Sequence, residues 1–339
     1  MPTQANTMSP DVPLESPAAA QTREELRKAG NYLVGKDGPR DLVQAAYWFK
    51  KAADQGDPGA QNELGYLSLW GLGVKRDEGE AFRWFARAAG AGWEQAKLNM
   101  AVMYLRGIGV ARDPEFGRDL LVELANKKNA RAEDYLGEMY LDGFGVEQDM
   151  RTAEEWFSRS AKGKNPEGEY AMGQLYSVGQ GHEHDFAKAA KFLRESARAG
   201  YVPAMYMVGV LVVNHPELAR GSGEAVSWLE RAAEAGTWQS SAMLGTLAVD
   251  GRGARRDAGD AFRWFTIAAR QGGTEAEEHT RAHLAQCRAA LNAGEQDEEL
   301  RAAQSWLTEH PHADLFVLND MHSASPVGEV YVMRASGPQ

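Results

Sequence analysis

Histidines in two predicted turns are the side chains of this sequence best suited to binding a metal ion. His182 and His184 precede Asp185, and Glu217 follows His215 by two positions. Imidazole nitrogens and carboxylate oxygens together are typical ligands of zinc or nickel. The pattern also has a structural interpretation, because Asp185 suits a helix N-cap and histidines in turns are commonly exposed to solvent. We therefore predict no bound metal, and keep as an alternative a metal-binding or enzymatic protein that uses these histidine-bearing turns.

The remaining candidates for catalysis have structural interpretations. His279 and His283 are four residues apart on one predicted helix, but no glutamate follows His279 directly, so the metalloprotease motif is absent. The single cysteine, Cys287, lies in a predicted helix, where a buried thiol is inert. The Gly-x-Gly pairs of the chain lack the residues that complete a phosphate-binding loop. The sequence therefore predicts a protein that is not an enzyme and needs no cofactor.

The elements that carry these residues repeat every 36 residues. The first glycine of a Gly-x-Gly turn recurs at this spacing, with a histidine in its place in the sixth copy: Gly35, Gly71, Gly107, Gly143, Gly179, His215 and Gly251. In most copies an aspartate follows six residues later and an aromatic residue thirteen residues later. A fixed period between about 20 and 50 residues is typical of a solenoid.

Each copy predicts two short helices joined by the glycine turn. In the first helix, Leu64 and Leu67 belong to two apolar columns on one face, and Gly65 lies between them. Because glycine weakens a helix interior by about 1 kcal/mol relative to alanine, we expect it to permit close contact between helices. The first glycine of the turn suits the left-handed C′ position. Asp77 and Glu80 are expected to form a capping box at the start of the second helix.

One copy carries a complete set of these positions: Ala132, Leu136, Gly137, Tyr140, Gly143, Gly145, Val146, Asp149, Ala153, Trp156 and Ala161. This pattern resembles the Sel-one-like repeat family, a relative of the tetratricopeptide repeats, and the resemblance covers roughly residues 22–292. It implies a right-handed α-solenoid whose concave face is built from the first helices. It also implies an adaptor for protein complexes, the usual role of family members.

Three segments follow from the extent of the pattern. Residues 1–20 are rich in Pro, Ser, Ala and Thr and are expected to be disordered. Residues 21–292 are predicted to form an all-α solenoid of about seven helical hairpins of 36 residues, closed by a capping helix at 274–292. Residues 293–339 are predicted to hold one further helix, at 296–310, and an extended tail.

Composition and charge exclude several classes of partner. The net charge of −11 argues against nucleic acid, because phosphate binding requires a surplus of Lys and Arg. No stretch reaches about 18 apolar residues, so no membrane insertion is expected. The first residues lack the features of a signal peptide and internal disulfides are impossible, which favours the cytoplasm. A periplasmic or secreted location is the alternative if a signal peptide has been removed.

Three positions of the first helix change residue type from copy to copy. They are four residues apart and share one helix face, as Asn62, Tyr66 and Trp70 do. Packing keeps structural columns constant, so a variable column is either ordinary surface or a recognition surface. This column combines aromatic residues, expected to be exposed, with an acidic triplet in one copy, and Tyr and Trp are common in interface hot spots.

We therefore predict a non-catalytic scaffold or adaptor that binds a protein or peptide segment along this face, which the resemblance places in the concave groove. The predicted partner-binding residues are Tyr66, Trp70, Arg106, Asp134, Glu138, Asp142, Tyr170, Gln174, Tyr206 and Asn214. The aromatic members would anchor the partner, and the acidic members would select a basic stretch. A structural subunit that docks into a larger assembly through the tail at 314–339 is a further alternative.

Overall fold

A computed structural model describes residues 16–36, 38–179, 183–252 and 256–311, and within these ranges the protein contains α-helices, one 3-10 turn and no strand. In chain order the helices are α1 (Pro17–Val34), α2 (Leu42–Asp54), α3 (Pro58–Trp70), α4 (Glu78–Gly90), α5 (Glu94–Arg106), α6 (Pro114–Asn126), α7 (Ala130–Asp142), α8 (Met150–Lys162), α9 (Pro166–Val178), α10 (Phe186–Arg198), α11 (Val202–Asn214), α12 (Glu224–Glu234), α13 (Trp238–Asp250), α14 (Ala258–Ala290) and α15 (Ala293–Glu309). The tail predicted at 314–339 and His182 lie outside the described residues.

The first helix begins earlier than the sequence suggested. Pro17 to Ala20, assigned above to a disordered segment, form the first turn of α1. The Ser16 hydroxyl accepts a hydrogen bond from the Ala19 N–H at 3.1 Å, and Pro17 occupies the first helical position, where no intrahelical donor is needed.

The described residues divide between Leu120 and Leu121, inside α6, into two compact units. Unit 1 contains α1 to α5 and the start of α6, and unit 2 contains the end of α6 and α7 to α15. Within each unit, an odd-numbered helix packs against the even-numbered helix that follows it, and successive hairpins pack against each other. This arrangement confirms the prediction of helical hairpins.

The glycine in the middle of the first helix permits contact with a large side chain of the second helix. A Cβ added at Gly65 would lie 2.5 Å from Cε1 of Phe85, and one added at Gly137 would lie 2.6 Å from the ring of Phe157. Both phenylalanines are almost completely buried. The predicted reason for this glycine column, close contact between helices, is therefore confirmed.

The two glycines of each turn have different roles in unit 1. Gly71 adopts a left-handed conformation (φ 70°), and its N–H donates to the Leu67 carbonyl, as expected for a C′ residue. Gly73 is also left-handed, and a Cβ there would lie 2.1 Å from the carbonyl oxygen of Leu42 at the start of α2. The second glycine thus lets the turn pack against the preceding hairpin, a role that the sequence analysis did not identify.

The predicted N-cap of α4 is confirmed, but the predicted capping box is wrong. The Asp77 carboxylate accepts from the Glu80 N–H at 2.7 Å. The Glu80 carboxylate instead accepts from Nε1 of Trp84 at 3.3 Å. The Asp77 N–H donates to the Ser68 carbonyl at 2.8 Å, so it needs no side-chain partner.

The turn of the sixth copy, which lacks Gly-x-Gly, is held by a buried ion pair in unit 2. Arg194 is only 5% exposed, and its Nε donates to Oε1 of Glu224 at 2.7 Å. Its Nη2 donates to the carbonyl of Leu218, in the 3-10 turn, at 2.7 Å. Burial raises the pKa of Glu224, but the hydrogen bonds from Arg194 and from the Arg220 N–H outweigh it and hold the pKa below its ordinary value.

The C-terminal helices close unit 2. Helix α14 is interrupted at Gly273 (φ 59°, ψ −143°), and the part beyond it falls in the range where a capping helix was predicted. Helix α15 starts at a capping box formed by Asn292 and Glu295, and Trp306 packs edge to face on Trp264 of α14. None of the helices in the described ranges is both long and apolar enough to cross a membrane.

Candidate protein-binding face

The variable positions of three first helices in unit 2 define the candidate site, called here the variable face. It consists of Asp134, Glu138 and Asp142 on α7, Tyr170, Gln174 and Val178 on α9, and Tyr206, Val210 and Asn214 on α11. Helices α7 and α9 are in direct contact. Asp142, Gln174, Val178 and Asn214 are exposed, and Val178 keeps 58% of its surface accessible. The face therefore combines carboxylates, amides, tyrosines and apolar groups.

A pair of tyrosines lies at one edge of this face. The rings of Tyr170 and Tyr201 are 5.2 Å apart with an interplanar angle of 62°. Nε2 of Gln174 donates to the Tyr170 hydroxyl at 2.9 Å, which fixes that ring along α9. Both tyrosines are half-buried, so part of each ring is accessible.

Tyr201 was not among the predicted binding residues, because the variable column was defined only by positions inside the first helices. Tyr201 is the N-cap residue of α11 and makes no side-chain cap, whereas the matching Asn129 of α7 accepts from the Ala132 N–H at 3.1 Å. The same position holds Asp57, Trp93, Asn129, Asn165 and Thr237 in other copies, and only Asp57 and Asn129 cap their helices with a side chain. Variation of this column between copies is the signal that could have identified Tyr201.

Negative charges on α7 and α9 act on the Tyr201 hydroxyl. Burial raises the pKa of Tyr201 strongly, and the charges of Glu167, Asp134 and Glu138 and the Tyr170 hydroxyl raise it further. Burial also raises the pKa of Asp142. The variable face is therefore a region of negative potential in which the tyrosine remains neutral.

The negative charge of the protein is not evenly distributed along the sequence. Residues 16–120 contain 15 basic and 14 acidic side chains, so the net charge of −11 arises entirely outside them. This distribution leaves unit 2, which carries the variable face, as the acidic part of the described chain.

Tyr66, predicted to be an exposed anchor, is fully buried in unit 1, so that prediction is wrong. Its ring packs edge to face on Phe85, and its hydroxyl donates to Oδ1 of Asn99 on α5 at 3.0 Å. Nδ2 of Asn99 donates to Oδ1 of Asn62 at 3.2 Å. Asn62 and Tyr66 of α3 therefore face α5, the first helix of the next hairpin. Their buried polar atoms need hydrogen-bond partners there.

The acidic triplet is also less exposed than expected. Asp134 is buried and Glu138 is half-buried, and Asp142 alone of the three is exposed. Asp134 is buried for the same reason as Tyr66: it lies on the side of its helix that packs against the first helix of the next hairpin, here α9. In unit 1, Trp70 is 37% exposed and Arg106 is half-buried, so both remain accessible candidates.

The histidine-bearing turns contain aromatic contacts. The His184 ring stacks on Phe186, and its Nδ1 lies 2.8 Å from the Ser177 carbonyl oxygen. The His215 ring lies 3.9 Å from the Phe186 ring, and its Nδ1 lies 3.2 Å from Oε1 of Glu217. No three His, Cys, Asp or Glu residues are grouped to hold a metal ion within the described ranges, and His182 lies outside them.

Hairpins that place a buried ring of the second helix over a glycine of the first define an α-helical repeat protein. Seven segments match the Sel1 repeat family, at residues 27–57, 58–93, 95–129, 130–165, 166–201, 202–237 and 238–273. The chain therefore belongs to the Sel1 repeat family, and its fold class is the predicted α-solenoid of about seven repeats. Proteins with these repeats are generally protein-interaction scaffolds.

The chain is similar to solved structures of bacterial proteins. A Sel1 repeat protein from Oxalobacter formigenes is 27% identical, with a TM-score of 0.62 over 74% of this chain and 99% of that one. A protective antigen of uropathogenic Escherichia coli that displays an SLR fold is 25% identical, with a TM-score of 0.42 over 85% of this chain and 69% of that one. An immunity protein from Pseudomonas aeruginosa is 18% identical, with a TM-score of 0.43 over 76% and 83%. No curated protein matches the chain at a significant level.

Proposed function

We propose that this protein is a non-catalytic adaptor that binds a segment of a partner protein on the variable face of unit 2. The observation that carries the proposal is the composition of that face. Tyr170, Gln174, Val178 and Asn214 all lie on positions that vary between copies, and all are at least partly accessible. Family membership supports a role in protein interaction but does not identify the surface.

The electrostatics of the face support a basic partner segment. Glu138 and Asp142 contribute negative charge to the variable face, and burial raises the pKa of Asp142 because its charge is incompletely hydrated. A cationic side chain placed beside such a carboxylate would compensate for that loss of hydration. Tyrosine is enriched in the hot spots of protein-binding sites.

A photo-crosslinking amino acid introduced at Gln174 tests the proposal in cells that express the protein naturally. Glu155 provides the matched control, because it is exposed and lies on α8, the second helix of a hairpin in the same unit. We expect a defined covalent partner from position 174 and not from position 155. The purified partner should then bind the full chain, and Glu138→Lys should weaken that binding about tenfold.

Two results would contradict the proposal. The first is the same set of crosslinked proteins from positions 174 and 155, which would indicate random encounter. The second is a partner whose affinity is unchanged by both Glu138→Lys and Tyr170→Ala, which would place the binding surface elsewhere.

A further inference from the structure

The part of α14 beyond Gly273 is the first helix of a further hairpin. It continues a column of small, buried residues that recurs every 36 residues in the first helices: Ala60, Ala96, Ala132, Gly168, Ala204, Ser240 and Ala276. Helix α15 packs against α14 and provides the second helix, in which Ala303 is completely buried. The matched Sel1 repeats end at residue 273, so this hairpin lies beyond them. Residues 274–309 are called here the last hairpin, and residues 17–54 the first hairpin.

The contact between α3 and α5 shows which positions of neighbouring first helices meet. Oδ1 of Asn62 accepts from Nδ2 of Asn99 at 3.2 Å, and the Tyr66 hydroxyl donates to Oδ1 of Asn99 at 3.0 Å. Nε2 of Gln95 lies 3.4 Å from the same hydroxyl. The positions of Asn62 and Tyr66 in one hairpin therefore face the positions of Gln95 and Asn99 in the hairpin that follows.

The first hairpin carries arginines at the positions where an inner hairpin contacts the one before it. Arg27 lies two repeat lengths before Asn99. Arg23 lies at the same distance before Gln95. Both arginines are exposed, and Arg27 keeps 58% of its side chain accessible although it pairs with Glu24 of the same helix at 2.8 Å. A carboxylate from outside the hairpin can therefore reach the Arg27 guanidinium group, which has several N–H donors.

The same side of the first hairpin exposes an aromatic ring. Tyr32 lies two repeat lengths before Tyr104, whose ring packs edge to face on Phe82 of the preceding hairpin, with the centroids 5.3 Å apart. Tyr32 itself is 38% exposed. A hairpin stacked on this side would therefore bury apolar as well as charged surface.

The last hairpin carries carboxylates where an inner hairpin contacts the one after it. Glu278 lies six repeat lengths after Asn62, and Glu275 lies about one helical turn before Glu278. Both glutamates are exposed, whereas Asn62 is buried. The last hairpin contains 8 acidic and 3 basic side chains, and the first hairpin contains 5 acidic and 7 basic ones. The two hairpins are therefore complementary in charge.

We propose that molecules of this protein associate head to tail, with the first hairpin of one molecule stacked on the last hairpin of another. A stack that continues the 36-residue register would place Arg27 of one molecule next to Glu278 of the other. Opposite charges that meet in this way speed encounter and fix the register of the contact. Because the contact joins two different surfaces, each added molecule again presents an unoccupied hairpin. The proposal concerns the first and last hairpins and does not depend on the variable face.

Sedimentation equilibrium of the full chain over roughly 1–100 μM tests the proposal. We expect the average mass to rise with concentration past that of a dimer, and to fall when about 0.5 M salt screens the charges. Arg27→Glu and Glu278→Arg should each raise the dissociation constant about tenfold, because like charges then meet. An equimolar mixture of the two variants should associate as wild type does, since every mixed contact joins opposite charges. Glu155→Arg, the same charge reversal at an exposed site on α8, is the matched control and should have no effect.

Restored association in the mixture would also show that both variants are folded. A wild-type mass that stays that of a monomer over this range would overturn the proposal, and so would a dimer that does not grow. Association that persists in both single variants, or that the mixture fails to restore, would overturn the pairing of Arg27 with Glu278 and with it the head-to-tail stack.

Discussion

Replacing Gly65 by alanine tests whether the glycine column is a packing requirement. The added Cβ would lie 2.5 Å from Cε1 and 2.7 Å from Cδ1 and Cζ of Phe85, whereas ordinary contacts are 3.4–4 Å. Phe85 is completely buried, so the ring has to move against its neighbours. Such overpacking costs about 1–3 kcal/mol, and the better helix propensity of alanine offsets about 1 kcal/mol of it. We expect Gly65→Ala to destabilise unit 1 by roughly 1 kcal/mol.

Gly30 provides a matched control in the same unit. It lies inside α1, and an added Cβ would meet no atom within 4 Å, so Gly30→Ala should stabilise the protein by about 0.5–1 kcal/mol. The two variants should therefore shift the midpoint of urea unfolding, followed by circular dichroism, in opposite directions. The dependence of the unfolding free energy on urea concentration should stay similar. The double variant Gly65→Ala/Phe85→Leu should recover stability, because the next copy has Ala101 and Leu121 at these positions. Equal shifts of Gly65→Ala and Gly30→Ala in the same direction would refute the packing argument.

Three further predictions concern the turns and the buried polar groups. Gly73→Ala should destabilise unit 1 by more than Gly92→Ala does, as measured by urea unfolding. Both residues are left-handed, but only a Cβ at position 73 would meet backbone atoms, at 2.1 Å. Equal losses of stability would contradict this prediction. Glu224→Gln should cost roughly 3 kcal/mol at pH 7, because it leaves Arg194 buried without a counter-charge. The folded pKa of Glu224 is lowered, so its contribution to stability is fully present above the unfolded pKa, near 4.5, and is lost as pH falls through the folded pKa. A difference in unfolding free energy between wild type and variant that does not shrink in acid would be inconsistent with this prediction. Tyr66→Phe should lower thermal stability by about 1 kcal/mol without changing partner affinity, and a change in affinity would restore Tyr66 as a binding residue.

Features that depend on neighbours within one hairpin could be predicted from sequence. The period of 36 residues located the turns, Asp77 was identified as an N-cap, and Gly65 was linked to close helix contact. Each of these depends on chemistry confined to about one helical turn or on a repeated column. The capping box failed because the Glu80 carboxylate accepts from Trp84 and the Asp77 N–H already donates to the Ser68 carbonyl.

The candidate site was predictable only in part, because exposure depends on contacts between first helices. Variation between copies marked Gln174, Tyr170 and Asn214, all of which retain accessible surface. The same variation marked Tyr66 and Asp134, which are buried between neighbouring helices. Sequence variation therefore identifies positions that the common fold leaves free, and a three-dimensional structure is needed to tell a partner-facing residue from one matched to the adjacent repeat.

The junction between the fifth and sixth copies differs in chemistry from the junctions of unit 1. In unit 1, glycines such as Gly73 let a turn pack against the preceding helix because they have no Cβ. In the sixth copy the equivalent region contains the contact of His215 with Phe186 and the ion pair of Arg194 with Glu224. In a repeat array, cooperativity is transmitted from neighbour to neighbour. Protonation of Glu224, at a pH below the ordinary carboxylate range, would therefore weaken the coupling between the fifth and sixth copies.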